Sequence, residues 1–354
     1  MATSSLQSKT PSTSQSTLVW RTIQSIVWLI GLAIVFNLFF YPTLGIHLFW
    51  NILIPIAPLL LVLATGVWRN VCPMASTALF PRYIGLSKKI KLTTAQSGKL
   101  YLTSVILLFL IVPLRHLVFN TNGLATGILI LSLALFAIVM GLLFEWKSGW
   151  CSGLCPVHPV EKLYGQNNRL SLPNIHCDKC YRCVTPCPDS TPAINPVSSK
   201  KTAYHRIAGF LMTAAFPGFI WGWFQVPDYE GSITFSQIVI AYEFPLLGVL
   251  VASGLFLVLK RFLTAKKLIA IFSALAVSCY YWYRLPALIG FGIFPNDGML
   301  IDLSHSIPKW VVSVIIITTS LFFFWWIVFR KQKQISWGSR PAYAKISRTK
   351  TSLP

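Results

Sequence analysis

The sequence predicts an all-α polytopic membrane protein with about eight transmembrane helices and a small cysteine-rich insertion on the cytoplasmic side. Of its 354 residues, 55% are hydrophobic and only 11% are charged, a composition typical of membrane proteins rather than of soluble enzymes. Eight apolar stretches are each about 20 residues long, which is enough to cross a bilayer. They lie near 22–42, 46–67, 100–119, 123–145, 206–226, 240–260, 266–285 and 309–329.

The distribution of charge predicts the orientation of these spans. With the N-terminus in the cytoplasm, 27 of the 30 Lys and Arg residues fall in cytoplasmic segments, and the opposite face keeps only Arg115, Arg284 and Lys309. Since basic loops are retained in the cytoplasm, we expect an inner (cytoplasmic) membrane protein with both termini inside. Topology and attraction to anionic membrane lipid explain the net charge of +21, so no nucleic-acid partner is expected.

The spans divide the chain into five parts. Residues 1–21 form a Ser/Thr-rich cytoplasmic tail that is expected to be disordered, and 22–145 form a four-helix membrane region that includes the loop of Cys72. Residues 146–205 form a cytoplasmic segment, 206–329 form a second four-helix membrane region, and 330–354 form a basic cytoplasmic tail. The chain has no Gly-rich dinucleotide fingerprint and no phosphate loop, which argues against nucleotide binding by those routes.

Seven of the eight cysteines lie in the two largest predicted cytoplasmic loops, and the eighth, Cys279, lies in the seventh span as an expected buried thiol. Because the cytoplasm is reducing, metal ligation is favoured over disulfide formation. The seven candidate metal ligands are Cys72, Cys151, Cys155, Cys177, Cys180, Cys183 and Cys187.

The run from Cys177 to Pro188 has the bacterial ferredoxin spacing Cys-x2-Cys-x2-Cys-x3-Cys-Pro. Three closely spaced thiolates can hold one face of a [4Fe–4S] cluster, and in two-cluster ferredoxins the fourth cysteine ligates the other cluster. Zinc sites, the alternative, usually pair two Cys-x2–4-Cys knuckles over a long spacer. The spacing therefore predicts a ferredoxin-like iron–sulfur segment.

A second stretch, Cys151-x3-Cys155-Pro156, repeats the back half of that motif. Since the fourth cysteine of such a motif ligates the neighbouring cluster, Cys155 is expected to complete the first cluster, whose other ligands are Cys177, Cys180 and Cys183. A second cluster would then be held by Cys72, Cys151 and Cys187. Its occupancy and its fourth ligand stay open.

The stretch "GWCSGLCPVHPVEKLYG", followed by "CDKCYRCVTPCP", resembles the polytopic membrane ferredoxins of the NapH and NosR type. These are accessory electron-transfer proteins of periplasmic nitrate and nitrous oxide reduction, and the resemblance covers about residues 46–196. It implies that electrons pass from membrane quinol through the clusters. Two features depart from the family pattern: Trp68 replaces the first cysteine of the first Cys-x3-Cys-Pro motif, and four more spans replace a second ferredoxin motif.

Several intramembrane polar residues are weaker candidates. Glu243, at the outer edge of the sixth span, is the one candidate catalytic residue, because a carboxylate there could accept a proton from quinol; the alternative is a solvated side chain. His47, His116 and His305 lie near the outer ends of spans, where they could ligate b-type haem or simply face water.

The leading functional hypothesis is electron transfer between the quinone pool, or an extracytoplasmic redox partner protein, and [4Fe–4S] clusters at the cytoplasmic face. Such a protein would be a quinol dehydrogenase or an oxidoreductase subunit. Two alternatives remain: an assembly or maturation factor that reduces a metal centre or an oxidase precursor, and a transporter or redox sensor with a structural cluster.

Overall fold

The computed structural model describes residues 14–145, 147–165, 202–294 and 298–330. Within these ranges the regular structure is helical, and one isolated backbone bridge joins Ile90 to Phe144. The segments before the gap at 166–201 are α1 (Ser14–Phe40), α2 (Pro42–Ile46), π1 (His47–Leu53), α3 (Ile54–Leu63), α4 (Thr65–Val71), α5 (Pro73–Tyr83), α6 (Thr94–Leu114), π2 (Arg115–Phe119), α7 (Gly123–Leu143), π3 (Trp150–Leu154) and α8 (Val157–Tyr164). Those after it are α9 (Ala203–Phe210), π4 (Leu211–Ala215), α10 (Phe216–Trp223), α11 (Phe235–Leu259), α12 (Ala265–Leu288), α13 (Lys309–Phe324) and π5 (Trp325–Phe329).

Seven helices in the described ranges are long and apolar enough to cross a membrane, which confirms the prediction of a helical multi-pass membrane protein. Each buries only part of its surface, as lipid-facing helices do, except for Ala265–Leu288, which is mostly enclosed by protein. The seven are Leu18–Phe40, Pro42–Leu63, Thr94–Phe119, Gly123–Leu143, Phe235–Leu259, Ala265–Leu288 and Lys309–Phe329.

The eighth predicted span, near 206–226, differs from these seven. The continuous helical run α9–π4–α10 occupies this segment, but it is not among the helices apolar enough to qualify as a span. From Met212 onwards it packs into the bundle, with Met212, Phe216 and Trp223 buried. A helix surrounded by protein needs no lipid-facing apolar surface, so glycine, proline and threonine are tolerated there.

Two glycines let α10 approach α11 at backbone contact distance. A Cβ atom on Gly218 would lie 1.9 Å from the carbonyl oxygen of Gly248, and one on Gly222 would lie 2.1 Å from that of Phe244. Small residues four positions apart are the usual means of close helix packing in membranes. This contact fixes α11 against the centre of the bundle through one side only.

The spans define two ends of the bundle. The span Gly123–Leu143 finishes against α5, which follows the span Pro42–Leu63, because a Cβ atom on Gly141 would lie 1.9 Å from the Ala78 carbonyl oxygen. These two spans therefore finish at the same end, which we call the cysteine end because Cys72, Cys151 and Cys155 follow them. The span Thr94–Phe119 finishes at the opposite end, where α11 begins.

A buried histidine joins two elements at the opposite end. His116 is fully buried; its Nδ1 lies 2.6 Å from Asp228 Oδ1, and its Nε2 lies 2.9 Å from the Trp223 carbonyl oxygen. Asn120 Nδ2 also donates to Asp228 Oδ1, at 2.7 Å. Burial alone would raise the pKa of Asp228, but the hydrogen bond and charge of His116, with Asn120 and Arg115, outweigh it and lower that pKa.

Substituting Asp228→Asn is therefore expected to destabilise the protein at pH 7 by roughly 1–3 kcal/mol, the usual cost of spoiling a buried charged hydrogen bond. A depressed carboxyl pKa stabilises the folded state above the unfolded value of about 3.9, and this contribution is lost as the pH falls through the folded pKa. As the pH is lowered from 7 to 3, the thermal unfolding midpoints of the wild type and the variant in detergent should converge. A difference in midpoint that stays constant over this range would contradict the role assigned to Asp228.

Candidate metal centre

The first cysteine of the site lies at a break between two short helices. Cys72 ends α4 with φ −55° and ψ 115°, because the following Pro73 disfavours helical backbone in the residue before it. Pro73 then starts α5, and the Cys72 thiol accepts hydrogen bonds from the backbone N–H groups of Ala75 and Met74. The sulfur thus sits at the N-terminus of α5, where partial positive charge favours a thiolate.

Cys155 lies in a turn of the same design. It ends π3 with φ −64° and ψ 119°, and Pro156 follows it. Its thiol accepts hydrogen bonds from the backbone N–H groups of Val157 and His158, two and three residues further on. The N–H groups of Met74 and Ala75 donate to Cys72 in the same way. The two Cys-Pro dipeptides, 83 positions apart in the chain, therefore present their sulfurs in the same way.

The two turns lie close enough for their thiols to interact electrostatically. Burial, together with a smaller contribution from the neighbouring Cys72, raises the pKa of Cys155 to about 12. Burial likewise raises the pKa of Cys72, with Glu161 adding to the shift while Lys147 opposes it. Without a metal both thiols are protonated at neutral pH, so metal binding here would release protons.

An ion cluster lies next to these sulfurs, on α4 and α8. Arg69 Nε donates to Glu161 Oε1, and His158 Nδ1 lies 3.7 Å from Glu161 Oε2. All three side chains are buried, as is Lys162. Burial alone would raise the pKa of Glu161, but Arg69, His158 and Lys162 outweigh it and hold this pKa far below its usual range. Burial lowers the pKa of His158, and Glu161 partly offsets that effect.

The helix α8, which carries this cluster, enters the bundle instead of lying on its surface. Leu163 and Tyr164 belong to the main hydrophobic core, and Ser273 Oγ donates to the Leu163 carbonyl oxygen at 3.0 Å. Ser273 lies eight residues inside the span Ala265–Leu288, a depth of about 12 Å at 1.5 Å per residue. Within the predicted cytoplasmic segment, α8 is therefore packed between transmembrane helices at the cysteine end.

The remaining described cysteines and Trp68 have different surroundings. Cys151 is half-buried on π3 and packs with Met74 and Cys155 around Ala78. Trp68, at the position where the resemblance predicted a cysteine, packs against the main core, and its carbonyl oxygen accepts from the Cys72 N–H at 2.9 Å. Cys279 also packs against that core, from α12.

The four cysteines of the ferredoxin run, Cys177, Cys180, Cys183 and Cys187, lie outside the described residues, so the grouping of ligands stays a prediction. Among the described residues, no three His, Cys, Asp or Glu side chains are placed to hold one metal ion. The part of the chain that the structure describes thus supplies two neighbouring Cys-Pro turns and Cys151. These suit a cluster as partial ligand sets, because the half-buried sulfurs of Cys72 and Cys155 accept from backbone N–H groups, and hydrogen bonds to the sulfurs tune iron–sulfur clusters.

The weaker candidates lie apart from this centre or are already engaged. Glu243 is exposed on α11 in the half of that span nearer the opposite end. Neither ring nitrogen of His116 is open to haem iron, because both are hydrogen-bonded within the protein. His47 Nδ1 lies 2.8 Å from Asn51 Nδ2, and His305 is exposed.

Sequence reasoning missed the ion cluster and the buried position of α8. The signal for it was weak: Arg69 lies in a short helix, and Glu161 is 92 residues away from it in the chain. A short amphipathic helix with three polar residues ordinarily predicts an exposed surface. Here the polar side is enclosed because Arg69 supplies the compensating charge.

No model of a known protein family, no curated protein and no solved structure matches this chain. The functional assignment therefore depends on the residues and contacts described above.

Proposed function

We propose that the protein is an iron–sulfur electron-transfer protein of the inner membrane, with its [4Fe–4S] clusters at the cytoplasmic face. The observation that carries the proposal is the pair of equivalent Cys-Pro turns, which bring Cys72 and Cys155 together at the cysteine end. The ferredoxin run beginning at Cys177 follows α8 by 13 residues and supplies further thiolates.

In this proposal the two turns serve adjacent clusters. Cys155 completes the first with Cys177, Cys180 and Cys183. Cys72 belongs to the second with Cys151 and Cys187. The closeness of Cys72 and Cys155 supports this arrangement, since two clusters that exchange ligands across neighbouring motifs must lie side by side.

A bound cluster supplies one-electron redox chemistry, and the protein's own residues set its environment. Backbone N–H groups of Met74, Ala75, Val157 and His158 donate to the sulfurs. Lys147 stabilises negative charge on Cys72, whereas Glu161 opposes it. Half-burial of the cysteines limits their contact with water, and these three factors set the reduction potential of a bound cluster.

Quinone within the membrane is the proposed electron partner, and an extracytoplasmic redox protein is the alternative partner. Purified protein in detergent should show bleaching of its cluster absorption when a reduced quinone analogue is added anaerobically. The Cys72→Ser/Cys155→Ser double variant is the control and should show much less absorption and no bleaching. Full reduction by dithionite with no response to quinol would contradict quinone coupling.

The orientation has its own test. Cysteines introduced at Glu230 and Leu300 should react with a membrane-impermeant thiol reagent added outside intact spheroplasts, because the basic loops belong to the other face. A cysteine at Lys266 is the matched control and should react only after permeabilisation. Reaction at Lys266 without permeabilisation would overturn the assignment of the cysteine end to the cytoplasm.

A further inference from the structure

A segment that is both basic and apolar connects α5 to α6 at the cysteine end of the bundle. Residues 80–91, which comprise the end of α5 and the loop after it, are called the basic arm. Its large exposed apolar side chains are Phe80, Ile84, Leu86 and Ile90. Between 47% and 63% of the surface of each is uncovered. Its three lysines, Lys88, Lys89 and Lys91, are exposed as well. The basic arm thus combines exposed apolar surface with exposed positive charge.

Backbone hydrogen bonds hold the basic arm at the end of a transmembrane span. The N–H of Lys88 donates to the Leu142 carbonyl oxygen at 2.7 Å, and the N–H of Ile90 donates to that of Leu143 at 2.9 Å. Leu142 and Leu143 are the last two residues of the span Gly123–Leu143. The hydrocarbon core of the membrane therefore ends near these residues, and lipid headgroups lie just beyond it.

The backbone of the lysine pair is ordered at this depth. Lys89 has φ 55°, and it is the one non-glycine residue in the described ranges with a positive φ. A lysine in this left-handed region is uncommon, and the hydrogen bonds made by Lys88 and Ile90 on either side hold it there. An ordered backbone reduces the entropy that is lost when its side chains bind a ligand.

The positive charge of the basic arm has little compensation within the protein. The sequence has no Asp or Glu between residues 80 and 99. In the part of the chain that the structure describes, none of the three lysines forms an ion pair. The acidic residue in backbone contact with the basic arm is Glu145, whose N–H donates to the Ile90 carbonyl oxygen at 2.9 Å. A single carboxylate leaves a surplus of positive charge that an anionic partner would balance.

We propose that the basic arm binds an anionic phospholipid, with its lysines on the headgroup phosphate and its apolar side chains among the acyl chains. Phospholipid fits both features, because its phosphate lies at the depth of the lysines and its acyl chains cover apolar side chains beside them. Phosphatidylcholine also has a phosphate, but its choline cancels the negative charge, so the basic arm should prefer phosphatidylglycerol. Binding needs no metal cluster and is therefore separate from the proposed electron transfer.

Binding of the two lipids to purified full-length protein in a neutral detergent, measured by native mass spectrometry, tests this proposal. The wild type should bind phosphatidylglycerol roughly tenfold more tightly than phosphatidylcholine. The Lys88→Gln/Lys89→Gln/Lys91→Gln variant should lose most of this preference, a fall of roughly fivefold. A wild type that binds both lipids equally would overturn the proposal.

A second basic turn at the same end of the bundle provides the matched control. Lys260, Lys266 and Lys267 flank the turn between α11 and α12, where the backbone hydrogen bonds in the described ranges join residues at most four positions apart. This turn is not clamped to another helix as the basic arm is. Lys260→Gln/Lys266→Gln/Lys267→Gln should therefore reduce the preference less than about twofold. Equal losses in the two triple variants would show a general effect of charge and would also overturn the proposal.

Two further variants separate the roles of charge and apolar surface. Replacing all three lysines of the basic arm by arginine should keep the preference, because guanidinium groups also bind phosphate, and this result would exclude misfolding as the cause of the loss in the glutamine variant. Ile84→Asn/Leu86→Asn keeps the charge but should weaken phosphatidylglycerol binding roughly threefold, because less apolar surface then contacts the acyl chains. Unchanged binding in the asparagine variant, or a loss in the arginine variant equal to that with glutamine, would contradict the proposed contacts.

Discussion

Replacing Cys155 by serine is expected to abolish the same EPR signal that Cys180→Ser abolishes. The proposal assigns both residues to the first cluster, and a serine hydroxyl ligates iron poorly at neutral pH while keeping the side-chain size. The turn at Pro156 fixes the Cys155 sulfur against the amides of Val157 and His158, so another residue cannot easily take its place. We expect a loss of at least tenfold in that signal, measured on dithionite-reduced protein purified without oxygen.

The second cluster provides the contrast for this experiment. Cys187→Ser should instead reduce the signal that Cys72→Ser and Cys151→Ser reduce, because the fourth cysteine of a ferredoxin run serves the neighbouring cluster. Cys279→Ser is the matched control and should be silent, since Cys279 packs against the main core within a span. The proposed exchange of ligands is wrong if Cys187→Ser reduces the same EPR signal as Cys180→Ser and Cys155→Ser changes neither signal.

Removing one partner of the buried ion pair is expected to give the largest loss of stability. In Arg69→Met, Glu161 would remain buried without its closest cation, and breaking a buried pair typically costs about 3–5 kcal/mol. The loss should appear as a large fall in the thermal unfolding midpoint in detergent. The α8 segment should also become more accessible to protease, because the hydrogen bond from Arg69 to Glu161 joins the polar side of α8 to α4.

A double-mutant cycle separates charge pairing from loss of packing. Glu161→Met alone should also be strongly destabilising, but the Arg69→Met/Glu161→Met double variant should recover at least part of the loss, since neither charge is then buried alone. Lys99→Met, at an exposed position on α6, is the control and should change stability little. Additive losses in the double variant would show that the pair is not coupled.

The transmembrane helices could be predicted from the sequence because lipid demands apolar surfaces along each span. Their first turns could not be predicted from hydropathy alone. α6 begins at Thr94, six residues before the predicted start, because Thr93 and Gln96 form a capping box; Thr234 and Gln237 do the same for α11. Polar first turns escape a search for apolar runs, although the Thr-x-x-Gln pattern itself is readable.

The candidate site was only partly accessible to sequence reasoning. The spacing of the cysteines and the two Cys-Pro dipeptides are local features, so the candidate ligands could be identified directly. The burial of His158, Glu161 and Lys162 is not local, because it depends on Arg69 and on core residues distant in the chain. A single sequence does not show which charges will be paired, so α8 was expected outside the membrane region.

Iron and acid-labile sulfide per chain, determined on anaerobically purified protein together with an EPR redox titration, test the central claim most directly. Two occupied clusters predict about seven or eight irons per chain, matching sulfide, and two EPR signals of different midpoint potential. If the incompletely ligated second cluster stays empty, the iron content falls to about four per chain. Stoichiometric zinc without sulfide, or no metal lost in the Cys72→Ser/Cys155→Ser variant, would contradict an iron–sulfur electron-transfer protein.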